Sequence, residues 1–454
     1  MRPHKPRRGR AWRIAASGFA VTALVALLVA LFVAFGGQPP STSGDLVGIN
    51  PPLPQPDSAW LPTLNFSQAE PWPAGMQPSA PAGFKVTRYA SGLDHPRWLY
   101  VLPNGDVLVA ESSTVPPEAS SIRESVQVWL QRNTGAVKAS ANRITLLRDS
   151  RGNGEADQKF VFAAGLHQPF GMLALDGKFY VANTDGVWRF SYHDGDTRLQ
   201  DGQKILDLPA GGYNNHWTRN ILANTDGTKL YVTVGSGSNV GENGIDNEFR
   251  RANILEINPD GSDLRVFASG LRNPNGLAWA PGSKVLWTVV NERDMLGNDL
   301  VPDFLTGVKD GAFYGWPYSY WGKNIDARVR PQRPDLVDKA IAPDYALGAH
   351  VAALGLAFYT ADAFPAHFRG GAFIGEHGSW NRRPFTGYKV VYVAFGDGRP
   401  YGKPEDFLTG FMPPEKQGIA YGRPVGVAVD ASGALLVADD VGNTIWRVAA
   451  EPAR

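Results

Sequence analysis

One short pattern returns six times along this chain, and it limits the possible folds more than any other feature. Its first copy is G-L-D-H-P-R-W-L-Y-V-L-P-N-G-D-V-L-V-A-E, Gly92 to Glu111, and its second is G-L-H-Q-P-F-G-M-L-A-L-D-G-K-F-Y-V-A-N, Gly165 to Asn183. Further copies start at Thr218, Gly270, Ala353 and Gly422. Each consists of an apolar strand, a turn carrying Asn, Asp, Pro or Gly, and a second apolar strand, the signature of a β-hairpin. Copies about 50–80 residues apart leave room for four strands each, which matches a propeller blade with loop insertions. The expected fold is all-β, a six-bladed β-propeller of four-stranded blades over residues 83–454. With 51 Gly and 35 Pro the chain is rich in turns, and no helical period of useful length follows Phe35, which disfavours a two-domain solenoid. The uneven spacing predicts insertions over the pocket at Ser112–Asp157, Glu292–Ala349 and Arg382–Gln417.

Upstream of the repeats the chain changes character twice. Residues 1–13 are basic, and residues 14–37 carry no charge, about the length that a bilayer-spanning helix needs, roughly 20 residues. Flanking positive charge places residues 1–13 in the cytoplasm and the folded domain outside, periplasmic or extracytoplasmic, on a single-pass anchor. A cleavable signal is the competing reading, against which the apolar run is longer than the usual ~7–15 residues and no clear A-x-A site follows it. Residues 38–82, dominated by Pro, Ser and small residues, read as an extended linker; Trp60, Leu61, Leu64 and Phe66 would otherwise lie on the domain surface.

Several functions are set aside by composition. A net charge of +1 supplies no field to recruit nucleic acid. The absence of cysteine removes disulfides, thiol nucleophiles, Cys-ligated zinc and covalently attached c-type haem. No phosphate-binding G-x-x-x-x-G-K-[ST] loop, G-x-S-x-G elbow or strand-linked G-x-G-x-x-G occurs.

Polar residues concentrate at strand ends. G-L-R-N-P-N-G-L-A-W at Gly270–Trp279, N-E-R-D-M-L-G-N-D at Asn291–Asp299 and F-Y-G-W-P at Phe313–Pro317 bracket a buried-strand run, V-L-W-T-V-V. Arg272, Asn273, Glu292, Arg293 and Asp294 therefore sit where loops on a rigid scaffold can present polar groups, or else Arg272 and Glu292 simply pair. The third unit opens G-G-Y-N-N-H-W-T-R-N, and His216 is the side chain suited to take a proton from an alcohol near neutral pH, or is a hydrogen-bonded structural histidine. The fifth contains I-G-E-H-G-S-W-N-R-R, with Glu376, His377 and Arg382. Arg219, Arg272, Arg382 and Arg423, from four blade loops, would form a ring suited to a compact polyanion, because guanidinium groups bind carboxylates in bidentate fashion. Tyr213, Trp217, Trp316, Trp321 and Trp380 would stack on a sugar or fill the core.

Taken together, G-L-R-N-P-N-G-L, E-R-D-M-L-G-N-D, Y-G-W-P, G-R-P-V-G-V, N-H-W-T-R-N and E-H-G-S-W-N-R resemble the soluble glucose dehydrogenase and sorbosone dehydrogenase family of quinoproteins, especially its sorbosone and pyranose dehydrogenase members. The resemblance covers about Gly83 to Val448. It implies a six-bladed propeller holding pyrroloquinoline quinone (PQQ), a tricarboxylated ortho-quinone, with a calcium ion. His216 would remove the hydroxyl proton while hydride passes to the quinone. Arg272 and Asn273 would contact the cofactor, and Arg423 would hold a carboxylate. Backbone carbonyls of the loop opened by Glu292 would reach the calcium, at Asp294 and Met295. Calcium takes oxygen ligands and acts as a Lewis acid, and arginines offset the three carboxylates. Some members have Gly-Pro where this chain has Asp294-Met295, a lysine where it offers His377 or Arg382, and a second basic residue where it has Val425.

The expected function is oxidation of a sugar or sugar aldehyde with PQQ, electrons passing to an external acceptor, a membrane quinone or a separate cytochrome. A calcium-dependent propeller hydrolase of the lactonase type is the second enzyme reading and would need Glu292, Asn298 and Asp299 to converge. A non-catalytic propeller binding carbohydrate or protein is the third.

Overall fold

The structure, a computed structural model, describes residues 24–27, 46–57, 63–115 and 139–451. Six four-stranded antiparallel sheets follow one another along the chain, as the repeat predicts. Each repeat copy forms the inner two strands of a blade. The innermost strands are Pro96–Val101, Met172–Leu175, Ile221–Ala223, Asn273–Trp279, Ala353–Phe358 and Pro424–Val429, in blades 1 to 6. Second strands such as Val107–Glu111, Leu230–Val234, Ala372–Glu376 and Leu435–Asp439 are buried at every position. They read as continuous apolar runs because neighbouring blades cover both faces. The outermost Phe84–Ser91 instead buries only Val86 and Tyr89, its other positions being partly or fully exposed.

The recurring Gly of the motif (N-G-L, L-G-L, V-G-V) brings the innermost strands together around the axis. A Cβ on Gly276 would lie 2.8 Å from the Leu356 amide nitrogen, and one on Gly355 would lie 2.2 Å from the Val425 carbonyl oxygen. Only glycine allows strands of adjacent blades to approach so closely. Closure comes from blade 6, where Phe84–Ser91 supplies the outer strand beside Thr444–Ala450, with Val86 opposite Val448.

Two expectations are corrected. Where it is described, the stretch read as a linker lies along the propeller as a strap. Val47–Gly48 adds a fifth strand to blade 4 against Tyr345–Ala349, and Gln68–Ala69 pairs with Ile419–Ala420. Phe66 stacks on Trp380 at 5.7 Å, and the Trp72 indole packs on Phe411 and Trp446 while donating to Asp439 at 2.8 Å. Isolated aromatics in a proline-rich stretch are enough to dock it. Arg382–Gln417 is also no insertion: it carries blade 5's own outer strands, Lys389–Gly396 and Arg399–Leu408, the latter charged because it is an edge. Glu292–Ala349 does contain extra structure, a small hairpin of Ser319–Tyr320 and Asn324–Ile325 and a helical turn at Pro334–Val337. Most of Ser112–Asp157 outside the strand Arg143–Arg148 falls beyond the described residues, as do residues 14–37 apart from 24–27. No helix among the described residues is long and apolar enough to cross a membrane.

Candidate active site

The polar outliers of the repeats meet at one end of the propeller, where innermost strands begin and second strands finish. His95 and Arg97 flank Pro96 at the head of blade 1, Asn273 begins the blade 4 strand, and Arg423 precedes Pro424 in blade 6. Glu376 and Asp439 end second strands at the same mouth.

His216 lies in the loop leading into blade 3, and its hydrogen bonds fix its tautomer. Nδ1 is 2.9 Å from both the carbonyl and the hydroxyl oxygen of Ser236. That hydroxyl donates to the Ser238 carbonyl at 2.6 Å, and a carbonyl can only accept, so Nδ1 carries the proton. Nε2 is left with its lone pair and has no partner among the described residues. Burial, together with the nearby Arg272 guanidinium, pushes the pKa of His216 down to about 3. The ring is therefore a neutral base at physiological pH. Beside it, the buried Asn273 Oδ1 has no hydrogen-bond partner, and it and the His216 Cβ pack so closely on Gly235 that a Cβ there would be 2.5 Å from both.

Arg272 is fully engaged with the loop after Asn291. It donates to the Glu292 carbonyl at 2.6 Å, to Asn239 Oδ1 at 2.9 Å and to Asp294 Oδ2 at 2.8 Å. The other Asp294 oxygen accepts from Asn381 Nδ2 at 2.8 Å and faces His350 Nδ1 at 3.5 Å. Burial alone would raise the Asp294 pKa, but Arg272 and His350 outweigh it and hold the carboxyl well below the usual range. Burial likewise opposes charge on His350, and Asp294 overcomes it and raises that pKa. Glu292 turns to its neighbour, accepting from the Arg293 amide at 3.1 Å and its guanidinium at 3.3 Å. The pairing expected as the plain alternative, Arg272 with Glu292, thus runs through the Glu292 carbonyl rather than its carboxylate.

The calcium expectation does not fit these residues. The carbonyls of Asp294 and Met295 accept from Arg328 Nη1 at 2.9 and 3.1 Å. A divalent ion about 4 Å from a guanidinium is opposed by roughly 8 kcal/mol at an effective dielectric of about 20. Among the described residues no group of three His, Asp or Glu could hold a metal. The hydrolase set also fails to converge: Asp299 pairs with Arg382 at 3.1 Å, Asn298 Oδ1 accepts from the Arg383 amide, and Glu292 faces Arg293.

Blades 1, 5 and 6 build the other side of the mouth. Asp440 Oδ2 accepts from Arg97, from His377 Nε2 at 2.8 Å, and lies 3.3 Å from His95 Nε2. Burial opposes ionisation of Asp440, but His377, His95 and Arg97 hold its pKa well below the ordinary carboxylate value. His377 is driven to about 3 by burial and by Arg423. Arg97 also lies over the Trp217 ring at 5.5 Å, joining this cluster to the His216 loop. Arg423 donates to the carbonyls of His377 and Gly378 at 3.0 and 2.9 Å and has no carboxylate partner among the described residues.

The predicted arginine ring is thereby dispersed. Arg219 lies fully buried beneath the His216 loop, its Nη1 and Nη2 donating to the carbonyls of His216, Thr218 and Pro209 and to Asn214, and burial beside Arg251 lowers its pKa to about 9. Arg382 braces the Asn298 carbonyl and Asp299. Neither faces the mouth as a free cation. Of the aromatics, Trp217, Trp316 and Trp321 are buried, Trp380 is covered by Phe66, and Tyr213 is 43% exposed. His95, Arg97, Asp440, His350 and Arg328 were not among the expected site residues. The first had a signal: the residue before the motif proline is His95, Asn273 and Arg423 in units 1, 4 and 6, the same place in each.

Known proteins bear on this geometry. A family model described as Glucose / Sorbosone dehydrogenase matches residues 178–379, and one described as TrAA12-like matches residues 335–451. An uncharacterized protein of Borreliella burgdorferi is 31% identical over 303 residues, 64% of this chain and 77% of that protein. The chain belongs to the glucose/sorbosone dehydrogenase family. Within this sugar-dehydrogenase-like family of PQQ propellers, aldose sugar dehydrogenase YliI of Escherichia coli is 29% identical over 174 residues, 38% of this chain and 42% of that one. In three dimensions the chain is similar to the holo form of the pyranose dehydrogenase PQQ domain of Coprinopsis cinerea, with a TM-score of 0.65 and 20% identity over 84% of this chain and 98% of that one. At that identity the likeness speaks for the fold. For the family's quinone the mouth of this glucose/sorbosone dehydrogenase relative is suited on one direct observation, the buried, unpartnered Asn273 Oδ1 beside a neutral histidine, since an orphaned buried acceptor marks a place for a ligand or water.

Proposed function

We propose that this protein is a quinoprotein dehydrogenase that oxidises a sugar or sugar-aldehyde hydroxyl at the mouth of the propeller. The observation that carries the reading is His216, held neutral with its proton on Nδ1 and its Nε2 lone pair unengaged. Pyrroloquinoline quinone, when bound, supplies the two-electron acceptor. His216 Nε2 takes the proton of the substrate hydroxyl, and the Ser236 carbonyl, bonded to Nδ1–H, steadies the ring as it gains charge. Asn273 Oδ1 would accept from a donor on the cofactor, and Arg423, with no carboxylate partner among the described residues, would hold one of the cofactor's. Exposed Tyr213 offers a stacking face for a sugar ring. The folded domain works outside the cytoplasmic membrane on an anchor formed by residues 14–37, and passes electrons to a membrane quinone or a separate cytochrome; the uncharged run behind a basic N-terminus supports this.

The experiment is to titrate the purified protein with PQQ, follow the cofactor absorbance, and then add aldoses and sugar aldehydes. Saturable binding and sugar-dependent bleaching are expected, with bleaching but not binding lost in His216→Ala. Absence of binding at micromolar PQQ would sink the reading.

A further inference from the structure

The carbonyl oxygens where the family resemblance puts a divalent ion already face a cation of the chain itself. Arg328 comes from the insertion of blade 4 and reaches both Asp294 O and Met295 O through one nitrogen, at 2.9 and 3.1 Å. Its side chain is 26% exposed, yet it is held in place by a buried carboxylate. Asp326 grips its other edge in bidentate fashion, Oδ1 to Nε at 2.9 Å and Oδ2 to Nη2 at 2.7 Å, and the Asp326 side chain is 1% exposed and shared with the buried Arg293. A fork held on three sides is far more costly to displace than a single surface contact. The Met295 carbonyl is presented by a backbone in the left-handed region, φ 69°, which leaves the two oxygens turned to the same guanidinium nitrogen. Charges also balance without a metal: Glu292, Asp294 and Asp326 face Arg293, Arg272 and Arg328 through the pairs described.

We propose that Arg328 takes the place of the divalent ion in this protein, so that the loop of residues 292–299 neither needs nor admits calcium and the cofactor mouth is assembled by guanidinium groups alone. The proposal rests on the cofactor reading above only in what it says of the quinone. Its consequence is a PQQ affinity indifferent to chelators.

The test uses the full-length protein stripped with EDTA. Calcium alone is titrated by calorimetry, and PQQ binding is then followed by absorbance in EDTA and in millimolar calcium. The expected result is no saturable calcium binding to the wild type and PQQ dissociation constants that agree within about twofold in the two buffers. Arg328→Met is expected to bare the carbonyls and create calcium binding, with PQQ tightened by calcium roughly tenfold or more. Micromolar calcium binding by the wild type, or a roughly tenfold gain in its PQQ affinity with calcium, overturns the proposal. These wild-type arms decide even if the variant fails to fold. A silent calcium titration with no PQQ binding in either buffer removes the cofactor reading while the replacement of the ion by Arg328 stands.

Discussion

On the blade 4 side of the mouth Arg272, Arg293 and Arg328 each face a carboxylate, Asp294, Glu292 or Asp326. Across from them, Arg97 has Asp440, but Arg423 has the carbonyls of His377 and Gly378 and the face of Tyr388, with no carboxylate among the described residues. The same residue type therefore does two kinds of work. A buried guanidinium matched by a buried carboxylate fixes a loop and offers little to an incoming anion, since its field is already cancelled. One solvated only by carbonyl dipoles keeps its field and attracts a carboxylate. The ring of cations visible in the sequence is, in three dimensions, a scaffold on one side and a binding group on the other.

The largest expected effect belongs to His216, which joins no ion pair among the described residues. His216→Ala should lower kcat by roughly 10²–10⁴, the range of a lost general base, with PQQ affinity nearly unchanged. Loss of both together would make the residue structural. Next comes Arg272→Met, which leaves Asp294 with His350 as its remaining cation and should cost about 3 kcal/mol in urea unfolding of the apo protein. Arg423→Met should instead weaken PQQ by roughly 10–100-fold, the worth of one charge-assisted hydrogen bond, at a smaller cost in stability. Equal losses of affinity in the two arginine variants would erase the contrast between the sides.

The smallest effect is one of pH. Because the pKa of His216 is pushed down to about 3, its base form persists as pH falls, and kcat/KM should show no acid limb near 6.5 from this residue. The linkage has a definite sign. Between about 3 and 6.5 the unfolded chain binds the proton that the folded ring refuses, so this share of stability is present above 6.5 and fades as pH falls toward 3. Denaturant midpoints of the wild type should therefore drop more than those of His216→Ala between pH 6.5 and 4.5. A parallel pair of curves would contradict the neutral ring.

Much of the fold was legible because the repeat carries it: each copy marks its turns with Gly, Asn or Pro and its strands with β-branched and aromatic runs, and those are local signals. The strap was legible only as the alternative that Phe66 lies on the domain surface: Phe66 and Trp72 dock on Trp380, Phe411 and Trp446, partners more than 300 residues away, while their neighbours read as a spacer. In the site, His216, Asn273 and Arg423 announced themselves by residue type and place in the motif. The fates of Arg219 and Arg328 did not, because the partners that decide them, the carbonyls of His216 and Pro209 for one and of Asp294 and Met295 for the other, are backbone groups that every residue has and no sequence pattern distinguishes. His95 is readable when the repeats are aligned on their proline, because it takes the place of Asn273 and Arg423; Arg97 aligns with Asn275 and Val425 and has no such signal.

The seam of blade 6 sets the timetable of biosynthesis. Phe84–Ser91 must wait for Thr444–Ala450 before it has a partner, so a chain leaving the ribosome, or threading a translocation pore, carries an unpaired strand through the making of nearly every other blade. Loop closure over such a span adds little free energy beyond a shorter loop but delays the contact until the last residues arrive. A stop codon late in blade 6 would thus leave five formed blades and an open ring, with sticky edges at both ends, and such chains should be cleared by proteases or aggregate rather than persist as slightly shortened proteins.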